Sequence, residues 1–437
     1  MRETIMVKFI KWVFVVLSIM IIWLALNIVA TKQAWFKAAI APPKDSASFM
    51  AESVKSIKEK AKGNGIFLLI NNGEVFDEYS YSQGNSVTNN TVFGVASLGK
   101  WVAAIGVMTL VEQGKLDLDI PVSHYLTRWQ LPNSQFNNDE VTVRRLLSHT
   151  AGITDGLGHN GFASKDEVQP LEQHLTYASD ADEGVSGKVQ VTMAPGSQFK
   201  YSGGSYNLLQ LIIEEVSEMP FSSYMEVAVF KPLKMTNTGY DHEKAGINLA
   251  QYFNDKGDER AYPFYTSLAA TGLYTTASDL VKFMKLQLPT NVAVKTQHQL
   301  LSIETLKQMR TPHASTMGID IWGLGVMLFA DNNGDDFIIG HGGQSPSLNA
   351  TIRLNPSNGD GIIMLTTGNR ALAADTATQW TLWETGNPDM YMLKNMIPEM
   401  LKRVAIGCLV ILIIFLILFF KKKSQKQKDK MKLKKHQ

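Results

Sequence analysis

The apolar positions of this chain follow two regimes. At each end they run without interruption; between the ends they recur with helical or strand spacing. WVFVVLSIMIIWLALNIVA, Trp12–Ala30, is 19 residues without charge, with Ser18 and Asn27 as its polar side chains. At about 1.5 Å per residue it reaches about 28 Å, close to the hydrocarbon thickness of a bilayer. VAIGCLVILIIFLILFF, Val404–Phe420, is also uncharged and has no polar face. A transmembrane helix is expected from each run. No small-x-small cleavage site directly follows the first, which favours an uncleaved anchor over a signal peptide.

Between these runs the periods change. SFMAESVKSIKEKAK reads as an amphipathic helix ended by Gly63. NGIFLLINNGEVFDEYS reads as two strands joined at Asn72-Gly73, a strong short hairpin signal. Helices are expected over Ser97–Gln113 with Gly114 as the stop, and over Asn207–Met219 before Pro220. A third is expected over Ala277–Leu288, with Thr276 or Ser278 as N-cap. NATIRLNPSNGDGIIMLTTGN reads as two more strands around Asn358-Gly359. Strands early and late, with helices between, predict an α+β fold: an antiparallel sheet built from both ends of the domain, with a helical insertion.

Charge adds an orientation. The formal net charge of +2 conceals a separation: residues 1–44 carry +5, the tail 421–437 carries +8, and residues 45–400 are left with −13. Lysines flanking the first run are balanced, so the tail decides. It is expected to stay cytosolic beside anionic head groups, which puts both termini inside and the acidic middle in the periplasm or cell exterior. An acidic outer region excludes a nucleic-acid binder. The single cysteine, Cys408, falls inside the second run, which excludes an intrachain disulfide and a CxxC redox or metal site.

The candidate chemistry begins in FGVASLGKWVAAIG. Ser97 and Lys100 stand three apart, so on a helix they share one face. A serine hydrolase needs a hydroxyl, a group to take its proton and donors for the developing oxyanion. A serine at a helix start contributes its own backbone N–H to the last of these. The spacing alone is weak, and Ser197-Gln198-Phe199-Lys200 repeats it. That copy follows Pro195-Gly196 and is read as a turn. His149 reads as a loop-bracing residue. His242-Glu243 lacks the second histidine of a zinc helix. Gly156–Gly161 matches a dinucleotide fingerprint in letters only, without the strand and helix that motif requires.

Context lifts the first copy. Ser97-Leu98-Gly99-Lys100 is followed by EQGKLDLDIPVSHYL, LLSHTAGI, PGSQFKYSGGSYNLLQLI, KPLKMTNTGY, ATGLYTTASDLVKFM, WGLGV and GHGGQSPS, in that order. Over about residues 50–380 this series resembles the serine β-lactamase-related family, which includes class C β-lactamases, penicillin-binding proteins, D-stereospecific peptidases and family esterases. The resemblance implies a β-lactamase/transpeptidase-like fold with terminal helices on the sheet and a helical subdomain. It implies Ser97 as acylated nucleophile, Lys100 as proton acceptor or relay, and Tyr201 as second proton-transfer group. Lys100 and His341 are then expected to supply the positive field that a phenol needs near neutrality. His341-Gly342-Gly343 matches the family's Lys/His-x-Gly strand, whose glycines are expected to let substrate lie along the strand edge. The backbone N–H of Gln344 would pair with that of Ser97 in the oxyanion site.

Two positions depart from the family. Gly203 stands where Tyr-x-Asn has its asparagine, which weakens the expected hold on a β-lactam or peptide amide. Ser347 stands where glycine usually follows Pro346. Ser205-Tyr206-Asn207 offers a rival Ser-x-Asn triplet at the start of a helix. The expected organisation is an anchor over 1–31, a linker over 32–49 and the hydrolase domain over 50–390. A juxtamembrane segment over 391–403, a span over 404–420 and a basic tail over 421–437 follow. The expected activity is acyl transfer to water from an ester, D-amino-acid peptide or β-lactam-like substrate, with no cofactor and no metal. The alternative is a non-hydrolysing penicillin- or cell-wall-peptide sensor on the same fold.

Overall fold

The computed structural model describes residues 2–154, 156–157, 159–288, 300–332 and 336–435. Two units separate within it, one spanning Ile40–Thr385 and the other combining both chain ends.

The larger unit is organised by an eight-stranded antiparallel sheet. Its strands are β1 (Gly65–Asn71), β2 (Glu74–Tyr81), β3 (Ala314–Thr316), β4 (Ile319–Trp322), β5 (Met327–Asp331), β6 (Phe337–Gln344), β7 (Leu348–Leu354) and β8 (Gly361–Thr367). They lie in the order β2-β1-β8-β7-β6-β5-β4-β3. The first hairpin therefore closes on the last strand, with Ile66 opposite Leu365 and Leu68 opposite Ile363. Asn72 and Gly73 both take positive φ, 52° and 78°, the requirement of a two-residue type I′ turn. The insertion expected between early and late strands runs from β2 to β3 and carries most of the helices.

Both faces of the central strands are covered, so β1, β7 and β8 are nearly all buried and read as continuous apolar runs. Alternation assigns the faces. Ile66, Leu68, Ala350, Ile352, Ile363 and Leu365 join the main core with Trp101, Val102 and Ile105 of the Gly99–Glu112 helix. The opposite face meets the Leu372–Thr385 helix, where Asn349 Oδ1 accepts the Ala374 N–H at 2.9 Å. The Ser46–Lys60 helix joins that layer through Phe49, stacked on Trp383 at 4.7 Å. Its start is fixed by Asp45, whose carboxylate accepts the Ser48 N–H at 3.0 Å. The Gly99–Glu112 helix is buried on all sides from Gly99 to Leu110, the mark of a central helix.

Boundaries moved by a few residues. The expected Ser97–Gln113 helix is a 3₁₀ turn, Ala96–Leu98, followed by an α-helix from Gly99. The expected Asn207–Met219 helix spans Gly203–Ser217, because Ser202 caps it by accepting the Ser205 N–H at 3.2 Å. Thr276, one of the two N-cap candidates, caps the Ala277–Leu286 helix.

The second unit contains two helices long and apolar enough to cross a bilayer, Ile10–Lys32 and Met390–Lys422. They run antiparallel: Trp12 meets Phe415 at 6.0 Å, and the Trp23 indole donates to the Arg403 carbonyl at 3.3 Å. Gly407 is required at their crossing, since a Cβ there would overlap the Trp23 ring.

Candidate active site

Ser97 lies on the 3₁₀ turn that leads from the short strand Val92–Gly94 into the central helix. That strand pairs with Tyr274–Thr276, and Val95 N–H donates to the Leu273 carbonyl at 3.1 Å. Ala96 then takes φ of 46°, a left-handed conformation that costs a side-chain-bearing residue about 1 kcal/mol or more. Such strain is held where surrounding structure demands it. Here the turn lifts the Ser97 hydroxyl to a half-buried position while Ala96 and Leu98 stay in the core. Leu98 N–H bonds back to the Val95 carbonyl at 3.2 Å, and Gly99 N–H to Ala96 and Ser97.

One helical turn on, Lys100 is 1% exposed and places Nζ 3.1 Å from Ser97 Oγ. It donates to the Ala270 carbonyl at 2.7 Å. The rings of Tyr201 and Tyr206 flank the ammonium, with centroids 5.2 and 5.7 Å away. The structure thus brings Ser97, Lys100 and Tyr201 together from separate parts of the chain.

β6 forms the opposing wall. Ile339 faces the core, so His341 and Gly343 face the same way. A Cβ on Gly343 would overlap the Val95 carbonyl and stand 3.1 Å from Leu98 N, whereas the nearest atom to a Cβ on Gly342 is Ala350 O at 3.7 Å. Glycine at 343 therefore has a structural reason of its own: it lets the strand touch the serine turn. Gln344 ends the strand, exposed, opposite Asn349. Gly343→Ala is expected to lower stability by about 1–3 kcal/mol because backbone atoms cannot yield. Gly342→Ala is expected to cost under about 1 kcal/mol. Urea midpoints of the two variants compare them directly.

Three imidazoles complete the surroundings. His341 Nδ1 lies 2.7 Å from the Gly342 carbonyl, which only accepts, so the proton is on Nδ1. Burial, reinforced by the Lys100 charge, pushes its pKa down to about 3. His341 is therefore neutral at working pH and does not contribute the cationic field expected for Tyr201. His149, 1% exposed, accepts the Ser202 N–H on Nδ1 at 3.1 Å and lies 4.4 Å from the Tyr201 ring and 4.7 Å from Trp322. Burial and Lys100 hold it well below its ordinary value. It positions the tyrosine segment, which gives the bracing role a concrete form. His159 is held down to about 3 by burial first and Lys100 second.

These depressed values have a sign. The folded protein keeps His341 and His159 neutral down to about pH 3, whereas the unfolded chain protonates them below about 6.5. Stability is present above pH 6.5 and is lost as pH falls towards 3, at about 1.4 kcal/mol per pH unit for each histidine. Urea unfolding between pH 7 and 4 is expected to show this slope, reduced by His341→Gln.

The remaining sequence candidates separate cleanly. Ser197 is exposed in a turn, its hydroxyl donating to the Ala194 carbonyl at 2.6 Å, and Lys200 is exposed. Gly203 opens its helix two residues after Tyr201. Asn207 of the rival triplet is fully buried, with its amide 3.4 Å from His174 Nδ1. Asp155 and Gly158 lie outside the described residues. In the sequence His159 stands only within a glycine pattern that lacks the strand and helix of a dinucleotide site. A lone histidine carries no periodic signal, and its place depends on a contact 44 positions away.

With this geometry in hand, comparison with known proteins is decisive. The β-lactamase family model matches residues 49–386. The chain belongs to the β-lactamase family. Protein flp of Staphylococcus aureus is 24% identical over 310 residues, covering 68% of this chain and 58% of its own length. The chain thus spans little more than half of that relative. The octameric penicillin-binding protein homologue from Pyrococcus abyssi has a similar structure, with TM-score 0.64 and 23% identity over 79% of this chain and 78% of that one. A β-lactamase/D-alanine carboxypeptidase from Pseudomonas syringae gives TM-score 0.60 and 17% identity over 76% and 96%. These likenesses bear on the fold, which is the β-lactamase/transpeptidase-like α+β fold expected from the ordered motifs.

Proposed function

We propose that this chain is a membrane-tethered serine hydrolase that works through an acyl-enzyme on Ser97. The observation that carries the reading is the 3.1 Å approach of Lys100 Nζ to Ser97 Oγ on a strained turn held against β6. Ser97 Oγ attacks the substrate carbonyl as its proton passes to Lys100 when that residue is the free amine, the form that desolvation favours, or, when it is the ammonium, is relayed by it to a Tyr201 phenolate. The N–H groups of Ser97 and Gln344 receive the oxyanion, with the start of the central helix adding a favourable dipole. Collapse of the intermediate expels the protonated leaving group. Water then attacks the acyl ester, releasing the acid and restoring the Ser97 hydroxyl.

Gly203 directs the substrate choice. With no amide side chain at that position, an ester or D-amino-acid peptide is favoured over efficient β-lactam turnover. The test is turnover of a small ester, a D-alanyl peptide and a chromogenic cephalosporin by the purified full chain. The order expected is ester or D-peptide well above cephalosporin. Cephalosporin as the best substrate contradicts this choice, and no turnover of any favours a non-hydrolysing sensor.

Tethering rests on the two apolar helices and the +8 tail. Their antiparallel pairing, Trp12 with Phe415 and Trp23 with Arg403, favours both termini on one side. With the tail cytosolic, the Ile40–Thr385 unit would lie outside the cell membrane. Protease added to intact spheroplasts is expected to digest that unit and spare a C-terminal epitope; loss of the epitope contradicts the topology.

A further inference from the structure

We infer that His159 is a substrate-positioning residue of the Ser97 site: its imidazole occupies the space beside Gly203 and offers an N–H to an amide carbonyl on the acyl side of the substrate. This rests on the acyl-enzyme reading of Ser97 and makes its substrate class narrower.

The first observation is steric. A Cβ built on Gly203 would overlap Nε2 and Cε1 of His159 and stand 3.1 Å from Cδ2. The ring therefore fills the volume into which a side chain at 203 would project. A side chain at 203 and the imidazole of 159 exclude each other.

The second is placement. Gly203 follows Tyr201 by two residues, at the first turn of the Gly203–Ser217 helix. Ser202 between them is pinned twice, by its N–H on His149 Nδ1 at 3.1 Å and by its hydroxyl on the Thr154 carbonyl at 3.1 Å. The segment bearing His159 is pinned too. Gly161 N–H donates to Asp180 Oδ2 at 3.0 Å, and Asp180 Oδ1 meets His174 Nε2 at 2.8 Å. The imidazole thus stands against Gly203, two residues after Tyr201. Lys100 is near enough that its charge is, after burial, the largest influence holding the ring neutral.

The third is polar accounting. Both ring nitrogens are shielded from solvent, and neither has a hydrogen-bond partner among the described residues. An unpaired buried donor or acceptor costs about 1–3 kcal/mol, so such groups ask for a ligand. A neutral imidazole carries one donor and one acceptor, as a carboxamide does. His159 supplies from a loop the polar pair that an asparagine at 203 would have supplied from the helix.

The test compares two esters with one leaving group in the full-length protein: an N-acetyl-D-alanyl ester, and its isostere with the amide replaced by methylenes. The readout is the ratio of their kcat/KM values, with the urea midpoint showing that each variant is folded. The wild type is expected to favour the amide ester. His159→Ala and His159→Phe are each expected to lower that ratio about 10-fold, mainly through KM. Gly203→Asn with His159 present is expected to damage both reactions. The double variant His159→Ala/Gly203→Asn is expected to recover the preference to within about threefold, because the amide then has the space.

Phenylalanine decides between recognition and filling, since it occupies the space without a nitrogen. A retained ratio in His159→Phe, an unchanged ratio in His159→Ala, or a wild-type ratio near one overturns the inference. Fluorophosphonate labelling runs alongside. If it labels wild type no better than Ser97→Ala, the acyl-enzyme reading fails and takes this inference with it. If labelling depends on Ser97 and the ratio does not depend on His159, this inference alone fails.

Discussion

Ser97→Ala is expected to lower kcat/KM on the preferred ester by at least about 10³-fold while leaving the urea midpoint within about 1 kcal/mol of wild type. The hydroxyl is half-buried on a turn whose shape is set elsewhere. Ala96 holds the left-handed conformation, Val95 is tied to Leu273, and Gly343 packs on the turn's backbone. None of these contacts uses Ser97 Oγ. Its removal deletes the attacking atom and leaves the oxyanion donors in place, so a small residual rate over water is expected to survive. Initial rates on the ester, with substrate saturation where it can be reached, give the ratio. Activity within tenfold of wild type would mean that the acyl group never passes through this residue.

Lys100→Met is expected to produce the second large effect, a fall in kcat of about 10²–10⁴-fold, the range of a positioned proton-transfer group. Stability is expected to move far less. Removing a buried ammonium relieves its desolvation, and methionine nearly matches the aliphatic stem. Against this, the Ala270 carbonyl loses a 2.7 Å hydrogen bond, a cost of about 1–3 kcal/mol. The two terms oppose, so the urea midpoint should stay close to wild type while turnover collapses. Lys100→Arg is not a mild change, because a planar guanidinium cannot fit where a compact ammonium sits 3.1 Å from Ser97 Oγ and between two tyrosine rings. If Lys100→Met retained kcat, the proton would have to leave Ser97 by another route.

Local chemistry was legible in the sequence and long-range contact was not. The i, i+3 spacing of Ser97 and Lys100 placed both on one helix face, and Asn72-Gly73 announced its hairpin, because each depends on neighbours in the chain. The order of strands early and late foretold a sheet closed between its ends, and β1 does pair with β8. Gly343 was recognised as meaningful, yet its reason needs the Val95 carbonyl, nearly 250 positions away. The resemblance makes His341 a source of positive field; burial and Lys100 together make it neutral. His159 left no mark at all, since its significance is the side chain that Gly203 lacks.

Departures from the family pattern acquire the same physical content. A missing asparagine at 203 reads in the sequence as a weakened hold on a β-lactam or peptide amide. In the fold the space is filled, by a side chain with its own donor and acceptor. The acidic stretch 45–400, the two apolar helices and the basic tail are the features on which the proposed location of such chemistry rests.

The most direct measurement is the site of acylation. The full-length protein is treated with a fluorophosphonate, digested, and the adduct located by tandem mass spectrometry. The mass increment is expected on Ser97 of the wild type and absent from Ser97→Ala. An adduct on Ser197, or no adduct on either serine, would contradict the assignment of Ser97 as the nucleophile.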